Sequence, residues 1–238
     1  MMTRCWVSSL ALLILFSLAL GGCGKKSTSS ETVYTSVCFI HSSPSSELID
    51  FSYLAEGADY YTDIVSEASY GTQHGYFSLV AGSRSFRAYL TSTSLAIASI
   101  TVSLTGNGKY TIIADDLDAA INPSLLAMAD TTVVPDSGKA FLRFVHVSAD
   151  APDLDITLAD SSPLITDLKR YEASGYVELD AGTYKFVAVS SDSGNVMLDL
   201  PPLTLTSKLN YSVLLSGSAY GLPGSELNAK MYQEMGVQ

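Results

Sequence analysis

The stretch FVHVSADAPDLDI, residues 144–156, occurs in the chain in a second version, and this repeat indicates how the chain is organised. That version, FIHSSPSSELIDF, occupies residues 39–51 at a constant offset of 105. A histidine and an aspartate recur at matching places: His146 and Asp155 in one stretch, His41 and Asp50 in the other. Self-similarity at a fixed spacing is the signature of repeated structural units. We therefore interpret the chain as two copies of one domain.

Two more blocks repeat with nearly the same spacing. YFSLVAGSRSFRAYL, residues 76–90, aligns with YVELDAGTYKFVAVS, residues 176–190, at an offset of 100. GKYTIIAD, residues 108–115, aligns with LNYSVLLS, residues 209–216, at an offset of 101. The order and spacing are too regular for chance, so we predict a tandem duplication.

Each copy has the side-chain alternation of β-strands. In YKFVAVS, Phe186 and Ala188 face one way while Val187 and Val189 face the other. The segments SLLAMAD and ELNAKMY are predicted as the closing strands of the two copies. We predict an all-β chain that folds as two tandem Ig-like β-sandwiches, residues 33–135 and 136–238.

Glycines mark the turns that enter these strands. Gly82 and Gly182 each follow an alanine and precede a strand. We expect both to adopt a positive φ, which glycine tolerates better than other residues.

The second copy carries the motifs of a known family. GKAFLRFVHVSADAPDLDITL, followed by VELDAGTYKFVAV, resembles the bacterial family called domain of unknown function 4397. That family has an Arg-x-x-His-x-Ser-Pro-Asp-Ala-Pro-x-Asp type of opening and a later Ala-Gly-x-Tyr strand. Ala149 replaces the proline here, and in the first copy Cys38 replaces the arginine. The resemblance implies an Ig-like sandwich at the cell envelope or surface, and it brings no established catalytic residues.

The N-terminus has the parts of an export signal. Arg4 is followed by an apolar run that ends at Leu20, shorter than the roughly 20 apolar residues that span a bilayer. The sequence LGGC that follows resembles the lipobox of bacterial lipoproteins, which implies cleavage before Cys23 and diacylglycerol on its thiol. We predict a signal peptide at residues 1–22 and a lipidated polar tether at residues 23–32.

The lipid anchor also predicts the location. Two or more acyl chains anchor a protein stably in a membrane, whereas one chain holds it only marginally. By resemblance to the lipoprotein sorting pattern, Gly24 rather than aspartate after the cysteine favours the outer membrane. The alternative is an ordinary secretory signal with a chance cysteine.

Charge and cysteine content exclude several classes of function. Without residues 1–22, which contain Arg4 and no acid, the chain has 12 basic and 24 acidic side chains, a net charge of −12. Such a protein is repelled by nucleic acid. Cys38 is then the only cysteine besides the lipidated one, so we expect no internal disulfide and an inert thiol within a strand.

The polar loop HVSADAPDLD offers a candidate metal site or a structural brace. Asp150, Asp153 and Asp155 could supply oxygens to calcium, which takes six to eight. The matching window of the first copy has only Glu47 and Asp50, so we predict no metal. We favour a structural role in which the repeated pairs brace the first loop of each copy against the sandwich: His41 with Asp50, and His146 with Asp155.

Enzyme motifs are missing from the sequence: there is no G-x-S-x-G, H-E-x-x-H, C-x-x-C or P-loop pattern. We predict no cofactor and a non-catalytic envelope protein that binds a protein or a glycan. Tyrosines in DYYTD, residues 59–63, and SAYG, residues 218–221, are candidate platforms for sugar rings, with cross-strand packing as the alternative. Two other functions stay open: a hydrolase of cell-wall or extracellular polymer, and a structural spacer in a surface assembly.

Overall fold

The computed structural model describes residues 31–44, 46–116, 123–158, 163–221 and 226–234. The chain divides into two units, Met1–Glu31 and Thr32–Gln238, and the fold below belongs to the second. Within the described ranges every regular element is a strand, which confirms the all-β prediction. No helix in these ranges is long and apolar enough to cross a membrane. Cys23, with the predicted signal peptide and most of the tether, lies outside the described residues.

The first half of the fold contains eight strands. They are β1 Tyr34–His41, β2 Ile49–Ala55, β3 Thr62–Ala68, β4 Gln73–Val80, β5 Gly82–Leu90, β6 Leu95–Leu104, β7 Lys109–Asp116 and β8 Pro123–Asp130. One sheet has the order β4-β1-β7-β8 and the other the order β3-β2-β5-β6. Only the β1–β7 pair in these two sheets is parallel.

The second half contains eleven shorter strands. They are β9 Lys139–His146, β10 Leu154–Leu158, β11 Pro163–Leu168, β12 Glu172–Ala173, β13 Val177–Asp180, β14 Gly182–Tyr184, β15 Phe186–Ser190, β16 Val196–Asp199, β17 Leu203–Leu205, β18 Asn210–Ser216 and β19 Asn228–Glu234. One sheet has the order β12-β9-β18-β19, with β13 also pairing with β9, and the other has the order β11-β10-β15-β16. Strands β14 and β17 pair with each other, and β9–β18 is the parallel pair.

The two halves therefore share one pairing order. With the strands of the first half lettered A to H in chain order, the sheets are D-A-G-H and C-B-E-F. The second half has this order too, if β12 with β13, β14 with β15 and β16 with β17 each count as one interrupted strand. Immunoglobulin constant domains instead place ABED and CFG together. The predicted two-sheet sandwich is present in each half, and its strand order, which both halves share, differs from that of immunoglobulin domains.

Prolines explain one of the interruptions. Pro201 and Pro202 lie between β16 and β17, where the first half has the continuous strand β6. Proline has no N–H to donate to a strand ladder. The closing strands predicted from SLLAMAD and ELNAKMY are confirmed as β8 and β19, each antiparallel to its neighbour.

The side-chain alternation is confirmed, and one of the two turn predictions is wrong. Phe186 and Ala188 are buried, whereas Val187 and Val189 are only partly so. Gly82 has a φ of +122°, as expected. Gly182 is not among the positive-φ glycines, although it begins β14 as Gly82 begins β5. Glycine tolerates either sign of φ at the start of a strand.

Three hydrophobic clusters hold the layers together. The first lies between the two sheets of the first half and is centred on Phe39, Phe51 and Phe86. The second fills the other half around Phe144 and Phe186, whose rings lie 5.3 Å apart. These are the cores of the two sandwiches.

The third cluster joins the halves. Its members come from one sheet of each half: Cys38, Ile40, Ile113, Val145, Val147, Leu214 and Tyr232. We call sheets β4-β1-β7-β8 and β12-β9-β18-β19 the inner sheets, because each contributes to its own core and to this third cluster. Strand β1, for example, gives Val37 and Phe39 to its core and Cys38 and Ile40 to the junction.

Candidate functional site

The two motif histidines are buried and bind the loop that follows them. His41 Nε2 donates to the Glu47 carbonyl at 2.8 Å, and His146 Nε2 donates to the Pro152 carbonyl at 2.9 Å. Because a carbonyl can only accept, each ring carries its proton on Nε2. Burial lowers the pKa of both rings, so they are neutral at neutral pH.

The motif aspartates bind a different element from the one we expected. Asp50 Oδ1 accepts the Glu67 N–H at 2.7 Å, and Asp155 Oδ1 accepts the Asp167 N–H at 2.7 Å. Both donors have a positive φ, at shifts in the register of the neighbouring edge strand. Each aspartate therefore supports a bulge rather than the first loop, because it lies within a strand whose neighbour bulges opposite it.

The carboxylates of the HVSADAPDLD loop have separate partners. Asp150 accepts the Ala219 N–H at 2.6 Å and the Ser218 hydroxyl at 2.5 Å. Asp153 pairs with Lys169 at 2.8 Å. In the described part of the chain, no three residues of the kinds that bind metals gather into a site.

A buried ion network connects the halves next to the third cluster. The Arg143 guanidinium contacts Asp130 from the first half and lies 3.2 Å from Glu234 Oε1. Its Nε donates to Ser212 at 2.7 Å, and its Nη1 donates to the Ala129 carbonyl at 2.8 Å. We call Arg143, Asp130 and Glu234 the junction triad.

Tyrosines complete the hydrogen bonding of the triad. Tyr76 donates to Asp130 at 2.7 Å, and Tyr176 donates to Glu234 at 2.8 Å. Burial raises the pKa of both phenols, so they stay protonated donors. Burial also raises the pKa of Glu234, against the opposing pull of Arg143. Each of these side chains finds an ionic or hydrogen-bonding partner within the network, so we assign the junction triad a structural role.

Cys38 lies beside this network and is shielded from solvent. It is buried in β1, and burial raises the pKa of its thiol to about 12. A thiol of this kind has almost no thiolate at neutral pH, which is the reactive form. The side chain fits the inert role expected from the sequence.

At the end of the junction the halves enclose a small polar cleft. Its volume is about 110 Å³. Its lining comes from both halves: Ser42, Tyr70, Gly71, Ser216, Asn228, Lys230 and Tyr232. We call this the junction cleft.

Hydrogen bonds across the halves fix the shape of the cleft. Asn228 Nδ2 donates to the Tyr70 hydroxyl at 3.0 Å, and the Gly71 carbonyl accepts from both Lys230 and Tyr232. Gly71 has a φ of +75°, and a Cβ there would lie 2.8 Å from Lys230 Nζ. The positive φ favours glycine in the turn that positions Tyr70, whereas the end of the Lys230 side chain could shift to admit a Cβ.

The motif histidine of the first half supports this turn. The Gly71 N–H donates to the His41 carbonyl at 2.7 Å, and the Tyr70 ring lies edge-on to the imidazole at 6.2 Å. The sequence motif thus helps to build the cleft without lining it.

A buried carboxylate, Asp115, lies behind the cleft. It follows Ile113 on the same face of β7, so it points into the junction. Neither of its oxygens meets a donor at hydrogen-bonding geometry among the described residues, although the Ser42 hydroxyl lies near. Burial raises the pKa of Asp115 well above its usual value, and Asp116 adds to the shift.

Two tyrosines of the predicted platforms are the most exposed aromatic side chains in the described residues. Tyr60 is 77% exposed and Tyr220 is 75% exposed. Beside Tyr60, the Tyr61 ring lies 3.9 Å from the Arg87 guanidinium carbon. Packing between strands therefore does not account for the rings of Tyr60 and Tyr220.

Sequence reasoning found the motif residues and missed both the junction cleft and the triad. The cleft residues are ordinary surface types that are far apart in the chain. Only one signal was available: Ile112-Ile113 and Val213-Leu214-Leu215 are consecutive apolar residues, the pattern of strands buried on both faces.

Comparison with known families gives one match. The family model described as "Domain of unknown function (DUF4397)" matches residues 35–157, from β1 into β10. No curated protein matches the chain.

Solved structures give distant likenesses. A leucine-rich repeat protein from Bacteroides thetaiotaomicron is 14% identical, with a TM-score of 0.21 over 87% of this chain. The chain spans 27% of that protein's length. The structure titled "Alpha-glucan binding by a streptococcal virulence factor" is 13% identical, with a TM-score of 0.25 over 84% of this chain and 97% of that one. CBMbc (family CBM26) from Eubacterium rectale Amy13K, in complex with maltoheptaose, is 9% identical, with a TM-score of 0.25 over 85% and 97%. At these scores the likenesses carry no argument about the present chain.

Proposed function

We propose a non-catalytic binding role for this chain, which belongs to the DUF4397 family of domains of unknown function. The ligand is a sugar unit of a glycan, and the junction cleft is its site. The single observation that carries this proposal is the lining of the cleft.

The lining suits a polyhydroxyl ligand. The cleft, of about 110 Å³, is lined by the hydroxyl-bearing residues Ser42, Ser216 and Tyr232, together with Asn228 and Lys230. Hydroxyls and amides can both donate and accept, which matches the mixed hydrogen bonding of a sugar. Tyr70, 41% exposed at the rim, offers a ring face.

The same lining favours binding over hydrolysis. Glycoside hydrolysis needs two carboxyl groups that flank the bond to be cleaved. None of the described residues that line the cleft is an aspartate, glutamate or histidine. Asp115 is near, but it is 2% exposed and faces the protein interior.

We also propose that the protein is a lipoprotein of the cell envelope, held in the outer membrane by acyl chains on Cys23. The support is the LGGC sequence and the polar tether behind it. Detection of an acylated Cys23 by mass spectrometry of the N-terminal peptide tests this, and an unmodified residue there contradicts it.

The two halves, in this proposal, are tandem copies of one domain. The shared strand order supports it, and so do matching hydrogen bonds at the repeat offsets. Thr105 N–H donates to Tyr110, and Thr206 N–H donates to Tyr211, each five residues along. The junction cleft is then a product of the duplication, since both copies line it.

A glycan array with the full chain in detergent tests the binding role. We expect binding to a subset of neutral glycans, lost in Tyr70→Ala and kept in Tyr34→Ala, a control tyrosine that is 52% exposed elsewhere. Release of reducing sugar from a bound polymer would instead indicate the hydrolase. Absence of binding to any glycan would leave the spacer role as the better explanation.

A further inference from the structure

We propose a second binding site, for a carboxylate-bearing sugar, on the outer face of sheet β3-β2-β5-β6. Its centre is Arg87, with the rings of Tyr61 and Tyr89 against it. It shares with the proposed function only the idea of a glycan ligand, and it lies on a different sheet from the junction cleft.

Arg87 is held in place by two tyrosine rings. Its guanidinium carbon lies 3.9 Å from the centre of the Tyr61 ring and 5.8 Å from that of Tyr89. Its Nη1 also donates to the Tyr89 hydroxyl at 3.3 Å. The guanidinium is therefore oriented before any ligand arrives, which reduces the entropy lost on binding.

The charge of Arg87 forms no ion pair with any residue that the structure describes. Among the described residues, the ion pairs involve Lys139, Arg143 and Lys169, and none involves Arg87. A guanidinium has five N–H donors in a planar fork that matches a carboxylate with two parallel hydrogen bonds. In a strongly acidic chain, a cation left unpaired and oriented in this way is suited to an anionic ligand.

The stack lies flat on the sheet. Ser52 is directly opposite Arg87 in the β2–β5 register and so shares its face. Although that face is the outer one, Ser52 is fully buried, and its hydroxyl has no partner among the described residues. The side chains that cover Ser52 therefore form a continuous surface on this face of the sheet.

The surroundings favour a sugar over an acidic peptide. Tyr60, which precedes Tyr61 in the chain, is 77% exposed and offers a ring face to solvent. Ser85 and Thr101, which follow on the same face, bond each other at 2.7 Å and add hydroxyls along the sheet. A uronate, a sugar ring that carries a carboxylate, uses the ring face, the hydroxyls and the guanidinium together.

The second half lacks this constellation at the matching register. Where Ser52 and Asp50 pair with Arg87 and Tyr89, Thr157 and Asp155 pair with Val187 and Val189. The Arg87 surface therefore belongs to the first half alone, and the second half supplies a control surface of similar shape. Lys185, exposed on that surface, is a matched cation.

Isothermal titration calorimetry with trigalacturonate, maltotriose and tri-glutamate tests the proposal on the full chain in detergent. We expect trigalacturonate to bind, with maltotriose and tri-glutamate at least tenfold weaker. Arg87→Gln and Tyr61→Ala should each weaken trigalacturonate binding at least tenfold. Arg87→Lys, which keeps the charge and loses the fork, should weaken it as well and guards against loss of folding in the other variants.

Controls separate this site from the junction cleft. Lys185→Gln removes an equal charge from the second half and should leave the affinity unchanged, as should Tyr70→Ala. Equal affinity for maltotriose, tighter binding of tri-glutamate, or an unchanged affinity in Arg87→Lys and Arg87→Gln would each overturn the proposal. Loss of binding in Tyr70→Ala alone would place the uronate in the cleft and overturn it too.

Discussion

His146 and His41 bind the loops that follow them in the same way. Each ring is fully buried and donates from Nε2 to a carbonyl six residues along the chain. A carbonyl left without that donor inside the protein costs free energy, because it has given up water. The bracing role inferred from the sequence stays a prediction about stability, and it can be tested.

We expect His146→Ala to lower the free energy of unfolding by about 1–3 kcal/mol, because the Pro152 carbonyl loses its donor and a cavity remains. The melting temperature measured by circular dichroism should fall accordingly. His74→Ala, at a partly exposed position, is the control and should have a smaller effect. An unchanged melting temperature in His146→Ala would contradict the bracing role.

The same histidines predict a pH dependence. Burial lowers their folded-state pKa below 6.5, so the unfolded chain takes up protons first as the pH falls. Their contribution to stability is full above pH 6.5 and is lost progressively below it. Asp115 and Glu234, whose pKa values are raised by burial, act with the opposite sign, since their contribution falls as the pH rises.

A comparison with His146→Gln isolates the histidine. The difference in melting temperature between the natural protein and this variant should shrink as the pH is lowered from 7.5 to 5.5. Only the natural protein has an imidazole at position 146, so only the natural protein loses stability as that group becomes protonated. A difference that stays constant or grows would show that His146 is not a buried neutral base.

At the level of elements, each motif aspartate lies in an interior strand and binds the edge strand beside it. Asp155 supports the Asp167 amide in β11 and also accepts the Ser191 hydroxyl at 2.6 Å. In the first half, Asp50 does the same with Glu67 and Thr91. A bulge with a left-handed residue is costly, and a carboxylate that binds its N–H offsets that cost.

Hydrogen exchange measured by NMR can show this support directly. In Asp155→Ala, the Asp167 amide should exchange at least tenfold faster, because the carboxylate that accepts from it is removed. The Glu67 amide, bound by Asp50 in the other half, is the internal control and should not change. Equal rates at Asp167 in the variant and the natural protein would exclude the aspartate as a support of the bulge.

At the scale of the whole molecule, the third cluster makes the two sandwiches depend on each other. Ile113 and Leu214 would be exposed if either half folded alone. Proteins rarely leave a large contiguous apolar surface open to water. We therefore expect one cooperative thermal transition in scanning calorimetry, with equal calorimetric and van't Hoff enthalpies. Two resolved transitions would show independent halves.

The junction triad gives a second test at this scale. Arg143→Met leaves Asp130 and Glu234 buried without their cation, and breaking such a pair costs about 3–5 kcal/mol. The midpoint of urea unfolding should fall. Lys139→Met breaks the exposed pair with Asp180 and should leave the midpoint almost unchanged. Equal effects of the two variants would mean that the triad does not stabilise the junction.

Several features followed from local patterns. The alternation around Phe186 predicted its strand, and the strands at SLLAMAD and ELNAKMY were placed correctly. Gly182 was misjudged because an alanine and a glycine precede a strand in both copies, and glycine tolerates either sign of φ there. The aspartates were recognised as structural, but their partners were not, since a bulge in the neighbouring strand leaves no local signature.

Side-chain period and internal similarity are properties of the linear chain, so the β class and the repeated motif could be recognised before folding is considered. The predicted lipid attachment at Cys23 is likewise read from a linear motif. The packing of the halves sheet to sheet is visible only in the folded chain, where Arg143 contacts Asp130 and a small cleft lies at the end of the junction. Contacts between the two inner sheets depend on which faces meet, and no local pattern records that choice.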